Sequence, residues 1–251
     1  MTALIGTALL LGCLKETVGP IVADEETIAK LTITAQPGTP TQSIAEGYTT
    51  LGLATPRDGF IYIPTSYDPA EPARLLVLLH GAGGDRTQWL TPEIESFAEL
   101  DAVVILAIES RYETWDVAFL GRYDPDVAFL NDALEWTFER VNVDRNLIAI
   151  GGFSDGGSEA LGIGIANAGL FRKIIAFTPS IYLVPFGRGT PDVFLSHGTQ
   201  DEIVAFGHSS DRVVPILRNN GMDVNFFIFD GGHVMPAYVQ TAAFEWLAAT
   251  Q

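Results

Sequence analysis

NLIAIGGFSDGGSEALGIGIANAG, residues 146–169, is the stretch whose reading decides the fold. Its first part, NLIAIG, is an apolar, β-branched run with no charge, which reads as a buried strand. Its last part, GSEALGIGIANAG, reads as a helix in which Gly162 and Gly164 let the backbone lie close to a sheet. A strand and a helix joined by GGFSDGG leave room only for a sharp turn, and Ser154 stands at its centre, flanked by small residues. A turn of this kind lifts a serine oxygen above the edge of a sheet. The other reading is a glycine-rich structural turn. A phosphate-cradling loop is disfavoured, because it would end in Gly-Lys-Ser/Thr.

Outward from this turn the same alternation repeats. FIYI, LLVLLH, AVVILAI, KIIAF, VFLSHG and VNFFIF are short runs that are apolar on both faces, as strands buried in a parallel sheet are. Between them lie helical segments around 88–100, 125–140, 156–168, 208–220 and 236–249. The second of these places Val127, Leu130, Leu134 and Phe138 on one face. This order predicts an α/β protein, a doubly wound and mostly parallel sheet. Residues 14–58 carry breaker clusters such as TAQPGTPTQS and read as a leader and an edge region. The expected division is a leader over 1–27 and a single catalytic domain over 28–251.

Hydrophobic residues make up 47% and charged residues 18% of the 251, the balance of a packed globular chain. The formal charge of −17 would repel a phosphate backbone, and no basic stripe offsets it, so nucleic acid is not an expected partner. Cys13 is the only cysteine, which excludes an intramolecular disulfide. It closes MTALIGTALLLGC, whose LLGC resembles a bacterial lipoprotein processing site; that resemblance implies cleavage and lipid attachment at Cys13, and with it an exported protein rather than a cytoplasmic one. No Lys or Arg precedes the apolar run, and the run is too short to span a bilayer, so an N-terminal helix or a mis-assigned start is the other reading.

If Ser154 is a nucleophile it needs a base for its proton and a carboxylate to hold that base. Of the four histidines, His233 lies in DGGHVMP, after a strand and before the last helix, where a loop at the carboxyl edge would present it. His80, His197 and His208 open or precede other elements. The acid should follow the serine and precede the histidine, on a loop after a strand. Asp201 in VFLSHGTQDEIV meets both conditions; Asp230 is the runner-up, with Glu202 and Asp155 read as solvated charges. Donors to an oxyanion would be the N–H of Asp155, after the serine, and the N–H of Ala82 in HGAGGD, with Gly81 and Gly83 shaping that loop.

Taken with ARLLVLLHGAGGD, ESRYETWD, PDVAFLNDALEW, HGTQDEIV and GGHVMP in this order, the chain resembles the α/β-hydrolase superfamily over roughly residues 28 to 250. Within it the chain looks like the cap-less serine esterases grouped with phospholipase/carboxylesterase and polyhydroxybutyrate-depolymerase-like proteins. The resemblance implies Ser154 as nucleophile, Asp201 as acid, His233 as base and backbone donors near Ala82 and Asp155, without a metal or cofactor. Only TPSIYLVPFGRGTP separates KIIAF from VFLSHG, where caps are commonly inserted. No large cap domain is expected, and an open site would take short-chain, aryl or polymeric esters. Gly83, Tyr112, Trp115, Tyr182 and Met235 are the candidates for its walls, with aromatic packing of a long loop as the alternative. Peptidase or acyltransferase chemistry fits the same residues, and a catalytically silent binding protein is a third reading.

Overall fold

A computed structural model describes residues 25–116, 124–180 and 189–249. Residues 1–24 of the expected leader, Cys13 among them, and Tyr182 lie outside them.

Eight strands form one sheet: β1 (Gly47–Thr50), β2 (Gly59–Ile63), β3 (Ala73–Leu79), β4 (Val103–Ile108), β5 (Val143–Phe153), β6 (Lys173–Phe177), β7 (Asp192–Gly198) and β8 (Val224–Phe229). Their order is β1-β2-β4-β3-β5-β6-β7-β8. From β4 to β8 every pairing is parallel. β1 and β2 are antiparallel additions at one edge. FIYI is therefore apolar like its neighbours but runs against β4, and β1, GYTT, has too few apolar residues to announce a strand.

Strand residues alternate between two cores, as the pleat requires. Leu75, Val77 and Leu79 of β3 face one cluster, with Leu31, Val127 and Leu134. Leu76 and Leu78 face the other, with Trp89, Phe97 and Phe244. Helices cover both faces: α1 (Glu25–Lys30), α2 (Pro92–Asp101), α3 (Pro125–Phe138), α4 (Asp155–Ala166), α5 (Val214–Asn219) and α6 (Ala237–Ala248). α2 and α6 meet through Phe97 and Phe244, stacked with centroids 4.5 Å apart. After α1 the chain docks on α3 and α4, since Asn131 Oδ1 accepts the N–H of Thr34 and Ala35, and Asn167 Oδ1 that of Ile33.

Two helical expectations divide. The segment around 88–100 becomes a 3-10 turn, Arg86–Trp89, followed by α2, because Thr91 is extended before Pro92 and its Oγ1 accepts the N–H of Ile94. The segment around 208–220 begins as a π-helix over Ser209–Val213 before α5. Pro215 lacks the N–H that an α-helical turn would give to Asp211, which accords with the wider turn there. β8 also departs from a fully buried strand: it is the last in the order, and Asn225 and Ile228 are exposed. Only residues 178–191 join β6 to β7, and the described residues form no large cap.

Candidate active site

β5 ends at Phe153 and α4 starts at Asp155, so a single residue turns the chain between them. That residue is Ser154, at φ 55°, ψ −119°, a region that costs a side-chain-bearing residue about 1–3 kcal/mol. Hydrogen bonds at both ends of the turn hold it there: the Ser154 N–H donates to Phe177 O at 2.9 Å, and Ser154 O accepts from the Ser158 N–H at 3.0 Å. The turn is also packed beyond what any side chain would allow. A Cβ on Gly152 would lie 2.3 Å from Gly156 O, and one on Gly156 would lie 2.3 Å from Leu79 O. These contacts press the elbow onto the carboxyl end of β3.

The loops after β7 and β8 complete the arrangement. His233 Nε2 lies 2.9 Å from Ser154 Oγ, and His233 Nδ1 lies 2.8 Å from Asp201 Oδ2. A carboxylate only accepts, so the proton is on Nδ1 and the free Nε2 accepts the Ser154 hydroxyl. Asp201 Oδ1 accepts the N–H of Ile203 at 2.9 Å and of Val204 at 2.8 Å. Burial works against the Asp201 charge, but the Val204, His233 and Ile203 bonds outweigh it and hold the carboxyl below its ordinary range. Gly198 makes the meeting of the two loops possible, since a Cβ there would lie 2.3 Å from Gly231 O and 2.5 Å from Gly232 O. Asp230 is turned away, with its Oδ1 on Gln200 Nε2 at 2.6 Å, and Glu202 is exposed.

The HGAGG loop lies against the elbow: a Cβ on Gly81 would be 2.9 Å from the Phe153 ring. Gly81 N–H donates to Gln88 Oε1, Gly83 N–H to Glu113 O, and Gly84 N–H to Gly81 O. Gly83 adopts φ +68° where it makes that link. Ala82 is the member of this loop whose N–H has no acceptor within the described residues. The N–H of Asp155, first residue of α4, is likewise a donor that the helix cannot use. Among the described residues, neither of the two N–H groups expected to face an oxyanion has an acceptor.

Beneath the loop, His80 is fully buried. Its Nε2 accepts the Ser110 N–H at 3.1 Å and faces Arg57 Nη2 at 3.1 Å; Nδ1 is 2.7 Å from Gly81 O and so carries the proton. Burial pushes its pKa down to about 4, and it stays neutral. Trp115 corrects an expectation. It is 1% exposed, and its indole N–H donates to His80 O at 2.6 Å, so the ring is a core prop for the loop and cannot wall an open cleft. Tyr112 is exposed beside that loop, while Met235 is half-buried against the α2–α6 core.

Spacing in the sequence does not reveal what the Asp155 side chain does. It accepts from Thr114 Oγ1 at 2.7 Å and from Ser180 Oγ, tying the loops after β4 and β6 to the first turn of α4. Nor does it show Ile203 and Val234 as exposed apolar residues on the acid and base loops.

No protein-family model matches the chain. Feruloyl esterase C of Emericella nidulans is 23% identical over 209 residues, covering 70% of this chain and 76% of that protein. Among solved structures, the S-formylglutathione hydrolase FrmB of Staphylococcus aureus superposes with a TM-score of 0.66 at 15% identity, covering 84% of this chain and all of that one. The Bacillus cereus carboxylesterase gives 0.58 at 21%, covering 77% of this chain and 94% of that one. The chain has the α/β-hydrolase fold.

Proposed function

We propose that the chain is a serine hydrolase that cleaves carboxylic esters through an acyl-enzyme on Ser154. The observation that carries this reading is the hydrogen-bonded series Ser154 Oγ, His233 Nε2, His233 Nδ1, Asp201 Oδ2, set on the strained turn between β5 and α4. The catalytic unit in this reading is residues 28–251.

In the first half-reaction Ser154 Oγ bonds to the ester carbonyl carbon while its proton passes to His233 Nε2. The carbonyl oxygen becomes an anion that the N–H groups of Ala82 and Asp155 stabilise, a contribution of about 3 kcal/mol for each such donor. The anion collapses, the C–O bond to the alcohol breaks, and the His233 imidazolium protonates the departing oxygen. Water then gives a proton to His233 Nε2 as it adds to the acyl carbon, and the second collapse returns the proton to Ser154 and releases the acid. Asp201, held ionised by three hydrogen bonds, keeps Nδ1 protonated throughout and balances the imidazolium charge.

For the substrate we favour aryl or short-chain esters. Support comes from the likeness to proteins named feruloyl esterases, from the absence of a large cap, and from the exposed Tyr112, Ile203 and Val234. A panel running from short aliphatic esters through feruloyl esters to insoluble polyesters, with an anilide for comparison, tests it. Wild type should turn over the aryl and short-chain esters well ahead of the anilide, and Ser154→Ala should lose about 10⁴-fold or more in kcat. Equal turnover by Ser154→Ala would overturn the assignment, and a preference for the anilide would favour a peptidase.

A further inference from the structure

Resting on the ester-hydrolase reading above, we infer that His197, fully buried behind the acid, is a positioning residue that sets the basicity of Asp201 through an N–H held 3.3 Å from Oδ2. His197 is 0% exposed. Its Nε2 lies 2.9 Å from Val204 O and 3.3 Å from Asp201 Oδ2, and its Nδ1 lies 2.7 Å from Ser209 Oγ. A carbonyl oxygen only accepts, so Nε2 carries the proton, and Nδ1 accepts the Ser209 hydroxyl. The tautomer is thus fixed from behind, and the N–H given to Val204 O also lies 3.3 Å from the carboxylate oxygen that accepts His233 Nδ1–H at 2.8 Å.

The consequence follows from how a carboxylate divides its charge. Oδ1 is already committed to Ile203 and Val204, so the strength with which Asp201 pulls on His233 depends on what else Oδ2 accepts. A second donor there lowers the basicity of Oδ2 and keeps the His233 imidazole from holding its proton too tightly. Val204 adds a mechanical link, because its N–H binds Oδ1 while its O takes the His197 N–H. The titratable groups facing His197 are Asp201, His233 beyond it, and His208 on the approach to the π-helix; Phe206 meets the ring edge-on at 5.9 Å. Burial keeps His197 neutral, so it acts as a donor and not as a charge.

Three variants test this through the acid limb of the kcat/KM profile on a neutral ester, with Ser154→Ala measured beside them. His197→Phe keeps the ring and removes the N–H; it should move the acid limb upward by about half a unit, a loss of up to about threefold in kcat/KM on that limb. His197→Gln, whose amide N–H can reach the same two oxygens, should return the limb towards wild type. Ser209→Ala, which frees one side of the His197 ring without touching the acid, should shift the limb in the same direction by less, and it decides the matter if His197→Phe does not fold. A folded His197→Phe or Ser209→Ala with the limb unmoved would overturn the inference, even with Ser154→Ala inactive. Full activity in Ser154→Ala would bring down the ester-hydrolase reading and this inference with it.

Discussion

Gly156 bears no side chain, yet it sets how closely Ser154 approaches the end of β3. With Leu79 O and His80 O at 2.3 and 2.4 Å from the place a Cβ would occupy, Gly156→Ala cannot be absorbed by a rotamer change, since both contacts are backbone. It should cost about 3 kcal/mol or more, the upper range for overpacking. Gly38→Ala, where a Cβ meets nothing within 4 Å, should stay within about 0.5 kcal/mol of wild type. Urea melts of the two variants make the comparison, and a Gly156→Ala melt matching wild type would mean that the elbow is not pressed onto β3 as described. At this scale the meeting of Ser154, Asp201 and His233 could be anticipated because few residues compete for each place: four histidines, and two loops after strands that carry acids between serine and histidine, one with Asp201 and Glu202 and one with Asp230. Trp115 was not legible. Whether its ring faced a cleft or the core depended on an acceptor, His80 O, that another loop supplies. His197 was hidden for the same reason, since its partner relation to Asp201 exists only after the turn closes.

Elements read well where burial on both faces left an unbroken apolar run, as in β3 and β4, and poorly where a single residue redirected the chain. Pro92 and Pro215 divided two expected helices, and β1 was too polar to be seen. The connection from β4 into α3 shows another feature the sequence conceals. Asp126 Oδ1 accepts the Arg111 N–H and Oδ2 the Asp116 N–H at 2.7 Å, while Asp116 Oδ2 accepts the Asp126 N–H at 2.9 Å. Both carboxyl groups are buried. Burial, then the Asp116 charge, push the Asp126 pKa up from 3.8 to about 7, against the pull of those N–H groups. A carboxyl whose folded pKa is raised stabilises the fold most at low pH, and that contribution falls as pH climbs from about 4 to about 7 and is lost above. Asp126→Asn removes the titration. The difference in Tm between variant and wild type should therefore change across that window in favour of the variant at the alkaline end, whatever the offset. A difference that is flat from pH 4 to 8 would contradict the raised pKa. His80, pushed down to about 4, works in the opposite sense in both proteins and cancels in the difference.

Over the whole molecule, 31 acidic residues stand against 14 basic ones. Self-repulsion of this size destabilises the compact state and is screened as the Debye length shortens. Raising NaCl from about 10 mM to about 500 mM should lift Tm by about 2 °C or more, equivalent to about 1 kcal/mol for a chain of this size. A Tm that falls with salt would show that attractive surface pairs outweigh the net charge. The same field bears on the reaction, since it disfavours anionic esters and leaves neutral ones untouched.

The central claim is that Ser154 becomes covalently acylated with His233 as its base. The most direct measurement is intact-mass and peptide analysis after exposure to a fluorophosphonate ester. The account predicts one adduct, on the peptide that carries Ser154, absent from Ser154→Ala and formed far more slowly in His233→Ala. An adduct on any other residue, or equal labelling of Ser154→Ala, would contradict it.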